Sequence, residues 1–323
     1  MFEVIIDNRQ GTMWNISDLI YSMSWKSSRI GKAASVDISF IDDPYWRSDS
    51  FLYEVGNVVR IKKDGKPLIM AYVFEVTETE EREIKLKCYD QTRYLMSTDL
   101  YIAVNATATD VIKTLAGRLE LKVGTLADTK YKIPKMSEDA KPMLDTICKA
   151  LQETTRVTQN MFILYDDFGE LALKTLADMK IEKLVLGDNA QVNDYTRARS
   201  IDSDTYNYVI LAQDNKKSGK RELYVAKDSE TMAKWGRLQL YQTVDEKMNV
   251  EQIKQVLNAT IEFKNRPMEK LKIASLGDIR VRGGSSFRLQ LSTIGLDSDV
   301  VVEECSHKFD GNEHTMSLEV RVM

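Results

Sequence analysis

Three stretches near the end of the chain decide the fold class: Ser286-Phe-Arg-Leu-Gln-Leu-Ser292, Asp299-Val-Val-Val-Glu-Glu-Cys-Ser-His307 and His314-Thr-Met-Ser-Leu-Glu-Val-Arg-Val322. Polar and apolar residues alternate, β-branched side chains are frequent, and Gly283-Gly284-Ser285 and Asp310-Gly311 punctuate the runs. That pattern predicts antiparallel strands joined by short turns. Upstream, Leu271–Ala274 and Ile279–Arg282 are expected as two further strands around a turn at Gly277-Asp278. The chain is therefore expected to finish in a small β-barrel or sandwich. In the last strand, period two puts Thr315, Ser317, Glu319 and Arg321 on one face and Met316, Leu318, Val320 and Val322 on the other. A free alternating edge invites aggregation, so this one is expected to be paired or covered, which points toward an assembly.

The other end of the chain reads in the same way. Strand-like segments cover Phe2–Ile6, Ile16–Ser24, Ala34–Ile41, Val58–Lys63, Leu68–Glu78 and Glu83–Tyr89, with the acidic run Thr79-Glu80-Glu81-Arg82-Glu83 as a solvated hairpin tip. So dense a set predicts a second barrel or sandwich. Gly56-Asn57-Val58-Val59-Arg60-Ile61 faintly echoes Gly277-Asp278-Ile279-Arg280-Val281-Arg282, which permits two related barrels.

Between them the texture is helical. Thr107 and Asp110 predict a helix start whose buried face is Val111, Ile112, Leu115, Ala116 and Leu119, and a second helix is expected from about Glu138 to Val157. Strands Phe162–Tyr165 and Leu171–Lys174 flank a turn at Asp166-Asp167-Phe168-Gly169. Further on, helices start at Asp228, ending at Gly236, and at Asn249 with Gln252, stopping before Pro267. The expected division is a β-domain over 1–97, an α+β domain over 98–187, and a second β-domain over 188–323 carrying a small α/β insert at about 214–268. The fold class is mainly β with α+β insertions.

Composition narrows the function. Among 323 residues, 45 basic and 49 acidic side chains leave a net charge of −4, which argues against tight binding of nucleic acid or an anionic membrane. Cys88, Cys148 and Cys305 are odd in number and widely spaced, which speaks for a reducing compartment. Glu3, Asp7 and Arg9 interrupt any apolar core in the first ten residues, so export by a signal peptide is not expected, and no apolar run nears the ~20 residues of a membrane span.

Catalytic motifs are missing: there is no Gly-x-Ser-x-Gly, no phosphate-binding glycine loop, no dinucleotide fingerprint and no His-Glu-x-x-His. Cys305, His307 and His314 are of the types zinc prefers, but three ligands on adjacent strands read better as satisfied polar residues. Asp166, Asp167, Glu170, Asp202 and Asp204 could supply a glycosidase acid pair, but the hairpin turn already explains the first of them. Trp14, Tyr21, Trp25, Tyr45 and Trp46 suit a core or an interface better than a sugar platform. No catalytic, cofactor or metal residue is expected.

The helix start Ala106-Thr-Ala-Thr-Asp-Val-Ile-Lys113, the run Leu144–Leu151 leading into Tyr165-Asp-Asp-Phe-Gly-Glu-Leu171, Gly236-Arg-Leu-Gln239 and the ending Cys305–Leu318 together carry a resemblance. The chain resembles the hub proteins of contractile phage tails, in particular the XkdQ and YqbQ type of Bacillus prophages such as PBSX and of phage-tail-like bacteriocins. That resemblance implies two tail-tube-like β-barrels, a homotrimeric baseplate ring matching a six-fold tail tube to a three-fold spike, and DNA passing through without specific binding. It also implies as partners the tail tube protein, the spike protein, a LysM-type baseplate protein and the tape measure protein, in a virion tail assembled in the host cytoplasm, with no membrane insertion, no enzyme activity and no cofactor. The alternative is a tail-associated cell-wall hydrolase or carbohydrate-binding protein. Glu75, Glu78, Gln290, Ser292 and Glu319 are polar positions that a channel could use.

Overall fold

The computed structural model describes residues 2–43, 51–187, 192–202, 204–215, 219–244, 246, 248–311 and 313–323. The chain is mainly β and divides into two compact units, Met1–Tyr195 with Lys272–Met323, and Thr196–Leu271.

In the first unit the N-terminal third supplies strands β1 (Phe2–Asp7), β2 (Met13–Asn15), β3 (Ile20–Ser28), β4 (Ser35–Ile41), β5 (Val58–Lys63), β6 (Lys66–Glu78) and β7 (Glu83–Tyr89). Their alternation is that of half-buried strands: Val36, Ile38 and Phe40 of β4 and Ile84, Leu86 and Cys88 of β7 are buried, and the residues between them are not. The strand expected over Ile16–Ser24 begins later, at Ile20. Asn15 Oδ1 accepts from Ser17 N at 3.0 Å, and this local bond turns the backbone out of the ladder.

The helical layer follows: β8 (Thr98–Thr107), α1 (Ala108–Arg118), β9 (Val123–Leu126), β10 (Lys132–Pro142), α2 (Met143–Thr158), β11 (Phe162–Asp166) and β12 (Leu171–Thr175). Thr107 and Asp110 form the expected capping box. α2 starts later than about Glu138, because residues 138–142 extend β10 and Pro142 pairs with Thr98 of β8. Val111, Ile112 and Leu115 of α1 and Leu144, Ile147 and Leu151 of α2 share one core with Leu171 and Leu173.

Strands β13 (Lys180–Gly187) and β14 (Val192–Ser200) come next. The second unit is built from β15 (Tyr208–Asn215), β16 (Lys220–Lys227), α3 (Ser229–Trp235), β17 (Gln239–Val244) and α4 (Val250–Lys264), after which β18 (Met268–Leu276) leads the chain back. β15 is its central strand, antiparallel to β16 and parallel to β17, and Ile253 and Leu257 of α4 join Val209 and Leu211 in the core. Asp228 and Asn249 cap α3 and α4 as expected.

The chain closes with β19 (Ser286–Leu291), β20 (Leu296–Asp310) and β21 (Glu313–Val322). β20 pairs with β3 from Glu304↔Ser28 to Asp310↔Ser22, which stitches N-terminal and C-terminal strands into one sheet of 13 strands among the described residues. In that sheet β21 lies between β20 and β18, so its edges are paired within the chain. The expectation that this edge is paired or covered is met inside the chain, so the edge gives no argument for an assembly.

A further correction concerns Ile279–Arg282, expected as a strand and found as a loop. Asp278 Oδ1 accepts from Arg280 N at 3.0 Å, Val281 N donates to Asp278 O, and Ser285 N donates to Arg282 O, so two tight turns follow one another. The echo between 56–61 and 277–282 is not structural: the former runs into β5, the latter stays loop.

Candidate functional surface and its buried junction

The most extensive feature with functional character is the outer face of the consecutive strands β6, β7, β4, β3, β20 and β21. Side chains directly opposed across a sheet point the same way. One row therefore reads Glu75, Lys87, Asp37, Ser24, Lys308, Thr315, and the next reads Thr77, Lys85, Ser39, Ser22, Asp310, Glu313. A third reads Tyr72, Tyr89, Ser35, Lys26, Ser306, Ser317. None of these is buried, whereas the alternate positions Trp25, Ile38, Leu86, His307 and Met316 are. Four lysines and four carboxylates stand among eight Ser and Thr hydroxyls, so the face is charge-balanced. Glu304 opposite Glu319 extends it on the acidic side. Of the expected channel positions, Glu75 lies on this face, Glu319 borders it, and Gln290 and Ser292 belong to the β19 region. Glu78 is exposed at the end of β6.

Beneath this face, Cys305, His307 and His314 do come together, but as a hydrogen-bonded chain. His307 Nε2 donates to Val281 O at 2.8 Å, so its Nδ1 accepts from His314 Nε2 at 3.0 Å, and Cys305 Sγ lies 3.2 Å from His307 Nε2. The His307 ring stands between the other two groups and uses a different nitrogen toward each, an arrangement that gives them no common centre. Burial pulls both histidines down to about 4, so they are neutral at physiological pH, and it pushes the Cys305 thiol up to about 12. Trp25 stacks on His307 at 5.0 Å, which makes it a core residue, and Trp14 packs edge-on against Phe51. Tyr21 bonds Glu83 from the surface. Tyr45 and Trp46 lie outside the described residues.

A second buried polar group joins three distant segments. Asp166, at the end of β11, accepts from Gly169 N and from Gln91 Nε2, both at 2.8 Å. Asp90, just after β7, accepts from Thr92 N at 3.0 Å and from its hydroxyl. Arg282 donates through Nη2 to the main-chain oxygen of Asp166 at 3.1 Å and stacks over Tyr165 at 4.1 Å. Its neighbour Gly283 donates to Ser27 Oγ at 2.9 Å. Desolvation and the Asp166 charge push Asp90 up to about 7, and desolvation pushes Asp166 up to about 6.

Such raised carboxyls suit acid catalysis in principle. Here both oxygens of Asp166 are already occupied, and the adjoining cavity, lined in part by Asp90, Tyr165 and Arg282, holds about 30 Å³. That is room for about two or three waters and not for a sugar ring. Asp167 and Glu170 close the hairpin through their backbones, and Asp204 pairs with Lys264 in the other compact unit. Asp90, Gln91 and Arg282 were not singled out from sequence. Arg282 sits in an alternating run that imitates a strand, and Asp90-Gln91 carries only a weak helix-cap signal. Among the described residues no cluster of His, Cys, Asp or Glu could hold a metal, and no helix is long and apolar enough to cross a membrane.

The comparisons agree with one another. A family model described as YQBQ-like matches residues 23–321. The phage-like element PBSX protein XkdQ of Bacillus subtilis strain 168 is 27% identical over 93% of this chain and 91% of its own length. YqbQ of the same organism is 29% identical over 82% and 81%. Among solved structures, the 43 kDa tail protein of prophage MuSo2 from Shewanella oneidensis superposes with a TM-score of 0.71 at 14% identity, covering 99% of this chain and 98% of the other. The chain belongs to the YQBQ-like family.

Proposed function

We propose that the protein is a structural, non-enzymatic baseplate hub of a contractile phage-type tail. Three copies form a ring that joins the six-fold tail tube to a three-fold spike and encloses part of the DNA channel. The N-terminal strands over 1–97 and the C-terminal β-region over 188–323 act as two tube-like barrels, while 98–187 and the α/β insert decorate the ring. A relative within a phage-like element and a fold shared with a prophage tail protein support the tail role. The observation that carries the channel is the charge-balanced, hydroxyl-rich face of six consecutive strands. A surface past which a polyanion must slide gains from having no surplus of cations, because each phosphate contact adds salt-dependent affinity.

Its proposed neighbours are its own copies, the tail tube protein, the spike, a LysM-type baseplate protein and the tape measure protein, in a virion tail assembled in the host cytoplasm. Cryo-electron microscopy of the particle tests this directly: three copies are expected in the hub ring, and six copies or one would overturn it. The hydrolase alternative is weakened by the small cavity at the buried acids, which has no room for a sugar ring. Purified protein is expected to leave peptidoglycan intact in a turbidity assay.

A further inference from the structure

The junction of Asp90, Asp166 and Arg282 contains two buried carboxyls and one guanidinium. Both oxygens of Asp166 accept hydrogen bonds, from Gly169 N and Gln91 Nε2, so this carboxyl is set up to be ionised. The hydrogen bonds that Asp90 receives from Thr92 both fall on Oδ1, which leaves Oδ2 as the oxygen able to carry a proton. Charge balances only in that state, with Arg282 against Asp166 and Asp90 neutral. Ionising Asp90 adds a second negative charge in a place where little water can follow.

We propose that this junction is a proton-operated latch, which with Asp90 protonated ties the β11–β12 hairpin to the turn at 281–285 and to the end of β7, and which loosens when that proton leaves. The latch is local and depends on no reading of the ring. Its mechanical path is short. Arg282 holds the main-chain oxygen of Asp166, Gly283 is pinned by Ser27, and Gly284 sits so close to Ile163 of β11 that a Cβ there would meet it at 2.4 Å.

The other charged groups near Asp90 do not supply the missing cation. From the hairpin come Asp167, which adds negative charge, and Lys174, which is held by Tyr165. From the loop after β3, Arg29 is paired with Glu303 at 2.7 Å and Lys32 with Glu304. From α2, the Cys148 thiol is pushed up to about 11 by burial and stays neutral.

The sign follows from linkage. A carboxyl raised from its ordinary 3.8 to about 7 on folding contributes stability that is fully present below its unfolded value and is lost as pH rises through the folded one. The opening constant of the hairpin should therefore climb with pH between roughly 4 and 7, more steeply below 6 where Asp166 also ionises and about tenfold per unit from 6 to 7, and level off above. Hydrogen exchange of the full chain, corrected for intrinsic amide chemistry, reads this at Gly169 and along β11 and β12. The native protein is expected to show the rise up to about pH 7, and Asp90→Asn to keep only the part that Asp166 contributes and to be flat from about pH 6 upward. A flat native profile, or an equal rise in Asp90→Asn, overturns the latch. Should that variant fail to fold, a carbon-13 titration of the native Asp90 carboxyl decides, with a midpoint near 7 expected and one near 4 contradicting it.

Discussion

At the scale of single residues, the His307–His314 pair shows what burial does to a polar side chain that sequence alone can only list as a ligand candidate. Two neutral imidazoles share one proton between His307 Nδ1 and His314 Nε2, and the other His307 nitrogen is spent on Val281 O. A further proton on His307 would have to displace that shared one. Because both folded values are depressed, from 6.5 to about 4, the unfolded chain binds protons first as pH falls. The histidine contribution to stability is thus full above about 6.5 and is lost on acidification toward 4, opposite in sign to that of Asp90 and Asp166. His307 contributes up to about 1.4 kcal/mol per pH unit in that window, and the half-exposed His314 contributes less through solvent screening. The gap in urea unfolding midpoint between native protein and His314→Asn, followed from pH 7 to 4, checks this and is expected to narrow on acidification, because the opposing carboxyl contribution is common to both. Metal analysis of protein purified without added metal is expected to return far less than one zinc per chain.

At the scale of elements, the parts legible in sequence were those whose signals are local. The capping boxes at Thr107 and Asn249, the hairpin at Asp166–Gly169 and the alternation of β20 and β21 all rest on residues within a few positions of one another. Thr107→Ala is accordingly expected to cost about 1 kcal/mol, measurable by thermal or urea unfolding. Within the loop at 277–285 the turns at 277–278 and 283–285 are legible, but the alternating Ile279-Arg-Val-Arg282 imitates a strand, and long-range contacts add to the local turn bonds that keep it a loop. His307 donates to Val281 O, Asp166 O accepts from Arg282, and Ser28 leaves no space for a side chain at 283. A Cβ on Gly283 would lie 2.3 Å from the Ser28 carbonyl carbon, in rigid backbone on both sides. Gly283→Ala is expected to destabilise by roughly 3 kcal/mol, the upper end for overpacking, and Gly295→Ala, which meets no neighbour, by clearly less. Equal losses in the two would mean that the packing at 283 is not the constraint.

At the scale of the whole molecule, the sequence announced two β-rich ends but not that they form one sheet. The β3–β20 pairing joins residues about 280 positions apart, and neither strand carries a mark of its partner. The same pairing is what makes the polar face continuous, so the surface most relevant to the proposed role could be read only once the register was fixed. Of the positions expected for a channel, Glu75 falls on this face because it sits opposite Lys87, and Lys87 is in turn opposite Asp37. A channel lined by such rows should carry no net positive potential. Purified protein is expected to show no measurable retention of duplex DNA at physiological salt. Replacing Asp37 and Asp310 by lysine would turn four cations against four anions into six against two, with the fold kept because both side chains are solvent-facing. That double variant is expected to bind DNA with an affinity that falls steeply with salt, since each neutralised phosphate releases counterions. Native protein that already bound DNA in this way, or a double variant that still ignored it, would contradict the assignment of this face to the channel.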